Sequence, residues 1–136
     1  MATLIVDFGL VILIWMTQLI VYPSFEYYQE ADLKQWHKIY TSNITLLVLP
    51  LMALQAFFCV YRLMFSFDWI GLIVFSMVIG AWINTFFYAV PLHGKITKGK
   101  DVLQSARSLI RVNWYRTILW TMVFIVNLWV FVKQQL

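Results

Sequence analysis

The run Trp69–Val90, WIGLIVFSMVIGAWINTFFYAV, contains no charged side chain, and its reading decides the fold. A helix rises 1.5 Å per residue, so ~20 apolar residues cross the ~30 Å of hydrocarbon in a bilayer. Three further runs have comparable character: Asp7–Tyr22, Thr41–Phe65 and Val112–Val132, the first and last slightly short or tilted. Lipid offers the backbone no hydrogen-bond partner, so each run must close its own bonds as a helix. The expected fold is all-α: one integral membrane domain over residues 1–136, built as an antiparallel four-helix transmembrane bundle. Composition agrees. The chain is 62% apolar and 12% charged, with a mean hydropathy of +0.79, whereas soluble domains carry about 25% charged residues.

Working outward from the third span, the short turn Ser66-Phe67-Asp68 makes helices 2 and 3 antiparallel neighbours. Gly71, Gly80 and Ala81 allow close helix contact. The third helix is expected to end at Val90-Pro91-Leu92-His93-Gly94. Lys95–Arg111, basic with apolar anchors Leu103, Leu109 and Ile110, reads as an amphipathic interfacial segment between helices 3 and 4. Proline disfavours helical geometry in the residue before it, so helix 1 is expected to stop near Tyr22-Pro23. Helix 2 should start early, around Asp32, and kink at Pro50. The first run is not expected to be a cleaved signal peptide, because it lacks a basic start and carries Asp7. Cys59 is the single cysteine, so no internal disulfide forms. No internal repeat stands out.

A net charge of +4 raises the question of nucleic acid, but its distribution argues against such a partner. Lys34, Lys38, Lys95, Lys98, Lys100, Arg107, Arg111 and Arg116 fall on or near the segments joining spans 1–2 and 3–4. Only Arg62 and Lys133 flank the opposite ends. Basic residues are retained on the cytoplasmic side, so both termini are expected outside a plasma membrane. The expected partners are the lipid bilayer and a lipophilic small molecule; oligomers remain open.

The polar side chains able to do chemistry gather at that same basic end: Gln18, Tyr22, Glu26, His37, Asn84, His93, Asn113 and Arg116. The opposite end shows almost nothing comparable, and Asp7 there reads as a first-turn residue that complements the helix dipole. Helical spacing places Trp15, Gln18 and Tyr22 on one face, and Asn113, Arg116, Thr117 and Trp120 on another. Polar stripes turned toward lipid are costly, so they should face the bundle interior and line a cavity.

Within that set His37, His93 and Glu26 are the candidates for catalysis. Imidazole shuttles protons near neutrality and ligates metal or haem iron. With Glu26 the histidines have the composition of a two-His, one-carboxylate metal set, although no His-x-x-x-His or Glu-x-x-His spacing supports it. The competing reading makes both histidines headgroup-level anchors. Arg116, Asn113, Gln18, Tyr22 and Asn84 are the candidates for substrate contact. Arg116 lies inside helix 4, where a cation either binds an anionic group or pairs with Glu26. The amides serve equally as interhelical glue.

Gln18-Leu19-x-x-Tyr22-Pro23-x-Phe25, Trp36-His37-x-x-Tyr40, Val90-Pro91-Leu92-His93 and Asn113-Trp114-x-Arg116-Thr117 together resemble a family of small bacterial four-helix integral membrane proteins. That resemblance implies the fold and a bacterial inner membrane, and no activity. In layout the chain is also similar to the oxygen-independent membrane protoporphyrinogen oxidase family, with no counterpart of the histidine inside their first span. Its third span ends like that of the anthrone-oxygenase-like family. The function expected is a redox enzyme acting on a lipophilic substrate, anionic or neutral. The alternatives are a small transporter or lipid-binding protein, or a non-catalytic subunit of a membrane complex.

Overall fold

A computed structural model describes residues 1–136. It contains four helices long and apolar enough to cross a membrane: α1, Ala2–Tyr27; α2, Glu30–Phe65; α3, Trp69–Lys98; and α4, Val102–Gln135. Each helix packs on its neighbours in sequence, and α4 closes the square against α1, leaving α2 and α4 on a diagonal. The result is an up-down-up-down bundle of a multi-pass membrane protein. Its outside is apolar, with Leu46, Phe57, Ile73, Phe87, Ile118 and Ile125 exposed, while Gln18, His37, Gln55, Asn113 and Arg116 are buried within. Tyr27, Trp36 and Tyr115 stand exposed at one end and Tyr61, Trp69 and Trp129 at the other, the arrangement of interfacial aromatic belts.

The helices are longer than their apolar runs. Thirty-six residues make α2, about 54 Å of helix against ~30 Å of hydrocarbon. The surplus lies at the basic end, where the first turns of α2 and α4 and the last of α3 surround the end of α1. Tyr22, Phe25, Leu33, Ile96, Ala106 and Leu109 form a separate small core there. The amphipathic stretch Lys95–Arg111 is shared between the end of α3 and the start of α4, and does not form a surface helix of its own. Gly99 divides it. Its φ of +69° ends α3 while Gly99 and Lys100 donate back to Ile96 and Lys95, a Schellman turn that glycine enters without strain.

Neither Pro23 nor Pro91 ends its helix, contrary to the sequence expectation. A wide π turn precedes each, at Thr17–Val21 and at Thr85–Ala89. The residue before each proline closes that turn by donating five residues back, Tyr22 to Thr17 and Val90 to Thr85. The proline ring normally collides with the carbonyl four residues earlier, and one additional residue in the turn displaces that carbonyl. Both threonines also donate their hydroxyls to the carbonyl four residues back, at Leu13 and Ala81. The same device thus occurs twice, 68 residues apart, a repeat carried by backbone rather than by side-chain identity. Pro50 leaves α2 a single helix.

The α2–α3 turn is closed by Asp68, which accepts from the Gly71 backbone and holds Arg62 at 2.8 Å. The Gly71 N–H and then the Arg62 guanidinium keep the Asp68 carboxyl below its ordinary value of 3.8. A depressed value means that this stabilisation is full above 3.8 and is lost as acidification carries the pH below it. Asp68→Ala is expected to lower stability by about 1 kcal/mol, typical of an N-cap, measured by thermal unfolding in detergent at neutral pH. The loss should vanish in strong acid.

Candidate functional site

At the basic end the four helices place a buried polar network between the apolar core and the surface. α4 supplies Arg116, one Nη of which donates to Asn113 Oδ1 one turn earlier and to Tyr22 Oη at 3.2 Å. Asn113 in turn donates to Gln18 Oε1 at 2.9 Å, and Gln18 Nε2 donates to the Ile110 carbonyl at 3.3 Å. The wide turns in α1 and α3 set the angles at which Tyr22 and His93 enter. Tyr22 Oη lies 3.0 Å from His93 Nε2. His93 Nδ1 is 2.8 Å from His37 Nε2, and His37 Nδ1 is 3.2 Å from Thr97 Oγ1. Thr97 finally donates to the His93 carbonyl.

One assignment of protons satisfies this whole chain. Arginine only donates, so Tyr22 Oη accepts from Arg116 and gives its own hydrogen to His93 Nε2. Neutral His93 then donates from Nδ1 to His37 Nε2, and neutral His37 donates from Nδ1 to Thr97. From Arg116 to Thr97 the arrows run toward the basic surface, and Thr97 turns its own hydrogen back to the His93 carbonyl. Such a line passes a proton outward by one hop per bond, and reverses only by turning every donor. Phe25 packs edge-on against His37 and Tyr40 lies tilted to it, with ring centroids 5.7 Å and 6.4 Å away. His37 itself is fully buried.

Beside the line lies a cavity of about 140 Å³. Tyr22, His93, Arg116 and Trp120 supply its polar edges, and Ile14, Val48 and Met52 its apolar floor. Arg116 and Trp120 are 6% and 2% exposed, yet Arg116 Nε and Trp120 Nε1 have no hydrogen-bond partner. They are one helical turn apart on α4 and both line the cavity. Buried polar groups without partners are rare and costly. No carboxylate faces Arg116 either. Thr45 and Leu49 of α2 with Phe86 and Val90 of α3 line the cavity and are also exposed outside the bundle. The cavity therefore opens sideways between α2 and α3, at the lipid-facing surface.

The structure brings together His37, His93, Tyr22, Gln18, Asn113 and Arg116 of the expected set. It leaves out two. Glu26 is exposed and pairs with Arg107 at 3.0 Å rather than with either histidine or Arg116. Asn84 lies in a different groove, between α3 and α4, with Tyr88, Tyr115 and Leu119. No group of three His, Cys, Asp or Glu side chains assembles for a metal ion. The imidazole nitrogens are committed to each other, to Tyr22 and to Thr97, so the His37–His93–Glu26 metal set does not form.

Two participants went unassigned in the sequence, and one residue elsewhere was misassigned. Thr97 stands four residues after His93, on the same helical face, and that spacing was its signal. Trp120 was placed on the Arg116 face without a role. Asp7 is the larger correction. It is not an exposed first-turn residue at the helix dipole but is fully buried, accepting from Gln55 at 2.7 Å and Asn127 at 2.8 Å. The far half of the bundle thus has a polar cluster of its own. Comparison with family models, with curated proteins and with solved structures finds no match to this chain. Fold and site together define a multi-pass four-helix membrane protein with a lipid-facing polar cavity.

Proposed function

We propose that the protein binds a lipophilic molecule by an ionisable oxygen head in the Arg116–Trp120 cavity and takes a proton from it. The unpartnered Arg116 Nε–H and Trp120 Nε1–H carry this reading, because two idle buried donors one helical turn apart, on residues that line one cavity, match an oxygen acceptor. The sideways opening suits a molecule that arrives dissolved in the bilayer. The excess of Lys and Arg at the basic end supports, as part of this proposal, an orientation in a bacterial plasma membrane with that end in the cytoplasm and both termini outside.

A hydroxyl head held there sits next to Tyr22 Oη. Loss of its proton into the Tyr22–His93–His37 line leaves an oxyanion against Arg116, which stabilises it in a site shielded from water. In the redox reading the head is an alcohol that becomes a carbonyl. Its O–H proton leaves through Tyr22 and the histidines, and its C–H hydrogen leaves with two electrons as hydride to an acceptor of the quinone class. That acceptor takes up one proton to become the quinol. His37 and His93 are then the proton carriers, Tyr22 the first contact, and Asn113 with Gln18 the support that orients Arg116.

Solvent extraction of the purified protein followed by mass spectrometry is expected to release a lipophilic molecule with a hydroxyl or carboxyl head. His93→Ala should retain that molecule, since Arg116 and Trp120 remain, while proton release on binding a long-chain phenol is lost. An extract containing only bulk phospholipid, together with no phenol binding, would remove the proposal.

A further inference from the structure

We propose that Asp7 is a proton-binding site in the opposite half of the bundle, loaded from the face that carries the chain termini. It is separate from the Arg116 cavity and does not depend on what that cavity binds.

Asp7 lies inside α1 with no exposed surface. Its two oxygens accept from neutral amides only, Gln55 Nε2 and Asn127 Nδ2. The charged and titratable groups around it are few. α1 brings Met1 with its amino group to the same cavity, α2 supplies Cys59 and Arg62, the α2–α3 turn supplies Asp68, and α4 supplies the neutral amide of Asn127 and the exposed Lys133, which rests over the Trp129 ring. The half of α3 at this end has no charged side chain. Arg62 is not available to Asp7, because its Nε and Nη2 both hold Asp68 at 2.8–3.1 Å. Its remaining Nη1 reaches Asn127 Oδ1 at 3.4 Å, one residue short of Asp7.

Of the two carboxylates at this end Asp68 takes the guanidinium, and the buried Asp7 is left without a countercharge. An isolated ionised carboxylate is among the most costly groups to bury, and it is neutralised instead. A metal cation is a poor neutraliser here. Hard cations want six or more oxygens, and the only unpartnered oxygen at the cluster is Gln55 Oε1, on a residue 1% exposed. A proton needs one oxygen. Turning the Gln55 amide over would let protonated Asp7 donate to that oxygen.

The route to Asp7 is one-sided. A cavity of about 150 Å³ at the terminal end is lined by Met1, Cys59, Arg62, Asn127 and Gln134, so it reaches the amide that donates to Asp7. Toward the basic end, Leu10, Ile14, Met52, Ala81 and Trp120 pack into a continuous apolar layer. Protons on the two sides of that layer exchange with opposite faces.

Infrared spectroscopy of the full-length protein in bilayers tests this. The wild type is expected to show the carbonyl band of a buried protonated carboxyl at neutral pH, shifting in heavy water and lost in Asp7→Asn. Asn127→Leu should slow its exchange. Carboxyl-¹³C aspartate labelling makes the same test without mutation, because Asp32, Asp68 and Asp101 are not buried. A wild-type spectrum with ionised aspartate bands alone would overturn the proposal. So would a band that responds to sodium and not to pH, which would assign the site to a metal cation.

Discussion

Arg116→Met is expected to weaken binding of a long-chain phenol or fatty acid by about 100-fold, close to 3 kcal/mol, the scale of a charge-assisted hydrogen bond lost from a dry site. Methionine keeps the apolar stem of the side chain out to the Nε position, so the surrounding packing is held while the guanidinium donors are lost with the space they filled. Trp120→Phe removes a neutral donor and should cost less, about ten-fold by the same scale. The ranking is informative. Were Arg116 merely structural glue for Tyr22 and Asn113, its loss would lower stability while leaving ligand affinity where it was. Displacement of a fluorescent fatty acid from the purified protein measures the affinity, and thermal unfolding the stability. Equal affinities for wild type and Arg116→Met would discard the anion site.

Asn113→Leu is expected to cost about 2 kcal/mol of stability, and ligand binding with it. Asn113 is fully buried and joins Gln18 to Arg116. Its removal strands the Gln18 carbonyl oxygen and frees the guanidinium to swing. Two stranded groups in water-free surroundings would suggest twice that loss. Interhelical hydrogen bonds within membranes measure smaller, because the separated helices find other partners, so the lower figure is the expected one. Asn113→Asp should behave differently. It keeps an acceptor for Arg116 and satisfies its charge, and Gln18 can turn its amide over to donate to the new carboxylate, so the helix pair holds while the cavity loses its attraction for anions. Unfolding in mixed detergent micelles separates the two variants, and similar losses of stability in both would show that Asn113 acts by shape alone.

The four-helix fold was legible because uncharged runs of bilayer length admit one solution. The convergence of Gln18, Tyr22, His37, His93, Asn113 and Arg116 was legible too, since alternating passes gather residues from one end of each span. Partner choice was not. Glu26 looks equivalent to any nearby carboxylate until Arg107, 81 residues away, is placed opposite it. Asn84 carries the right chemistry on the wrong side of α3, a rotation that hydropathy does not encode. Asp7 was misread for the same reason. Six residues from the chain start it resembles a helix-end anion, and only the positions of Gln55 and Asn127 show that it points inward. The helix ends were misplaced because proline signals a stop in any local reading, and the wide turns that absorb it are backbone features.

Those wide turns have a consequence for the angular phase of the helices. Each residue advances an α-helix by about 100° around its axis, so the surplus residue in Thr17–Val21 or Thr85–Ala89 resets the bearing of everything downstream. Closing either turn to a regular spiral with the sequence unchanged would swing Tyr22 or His93 about a quarter-circle from its neighbour. The helices would still span, yet the hydrogen-bonded line would be cut, whereas removing one residue from the turn would restore both the spiral and the bearing.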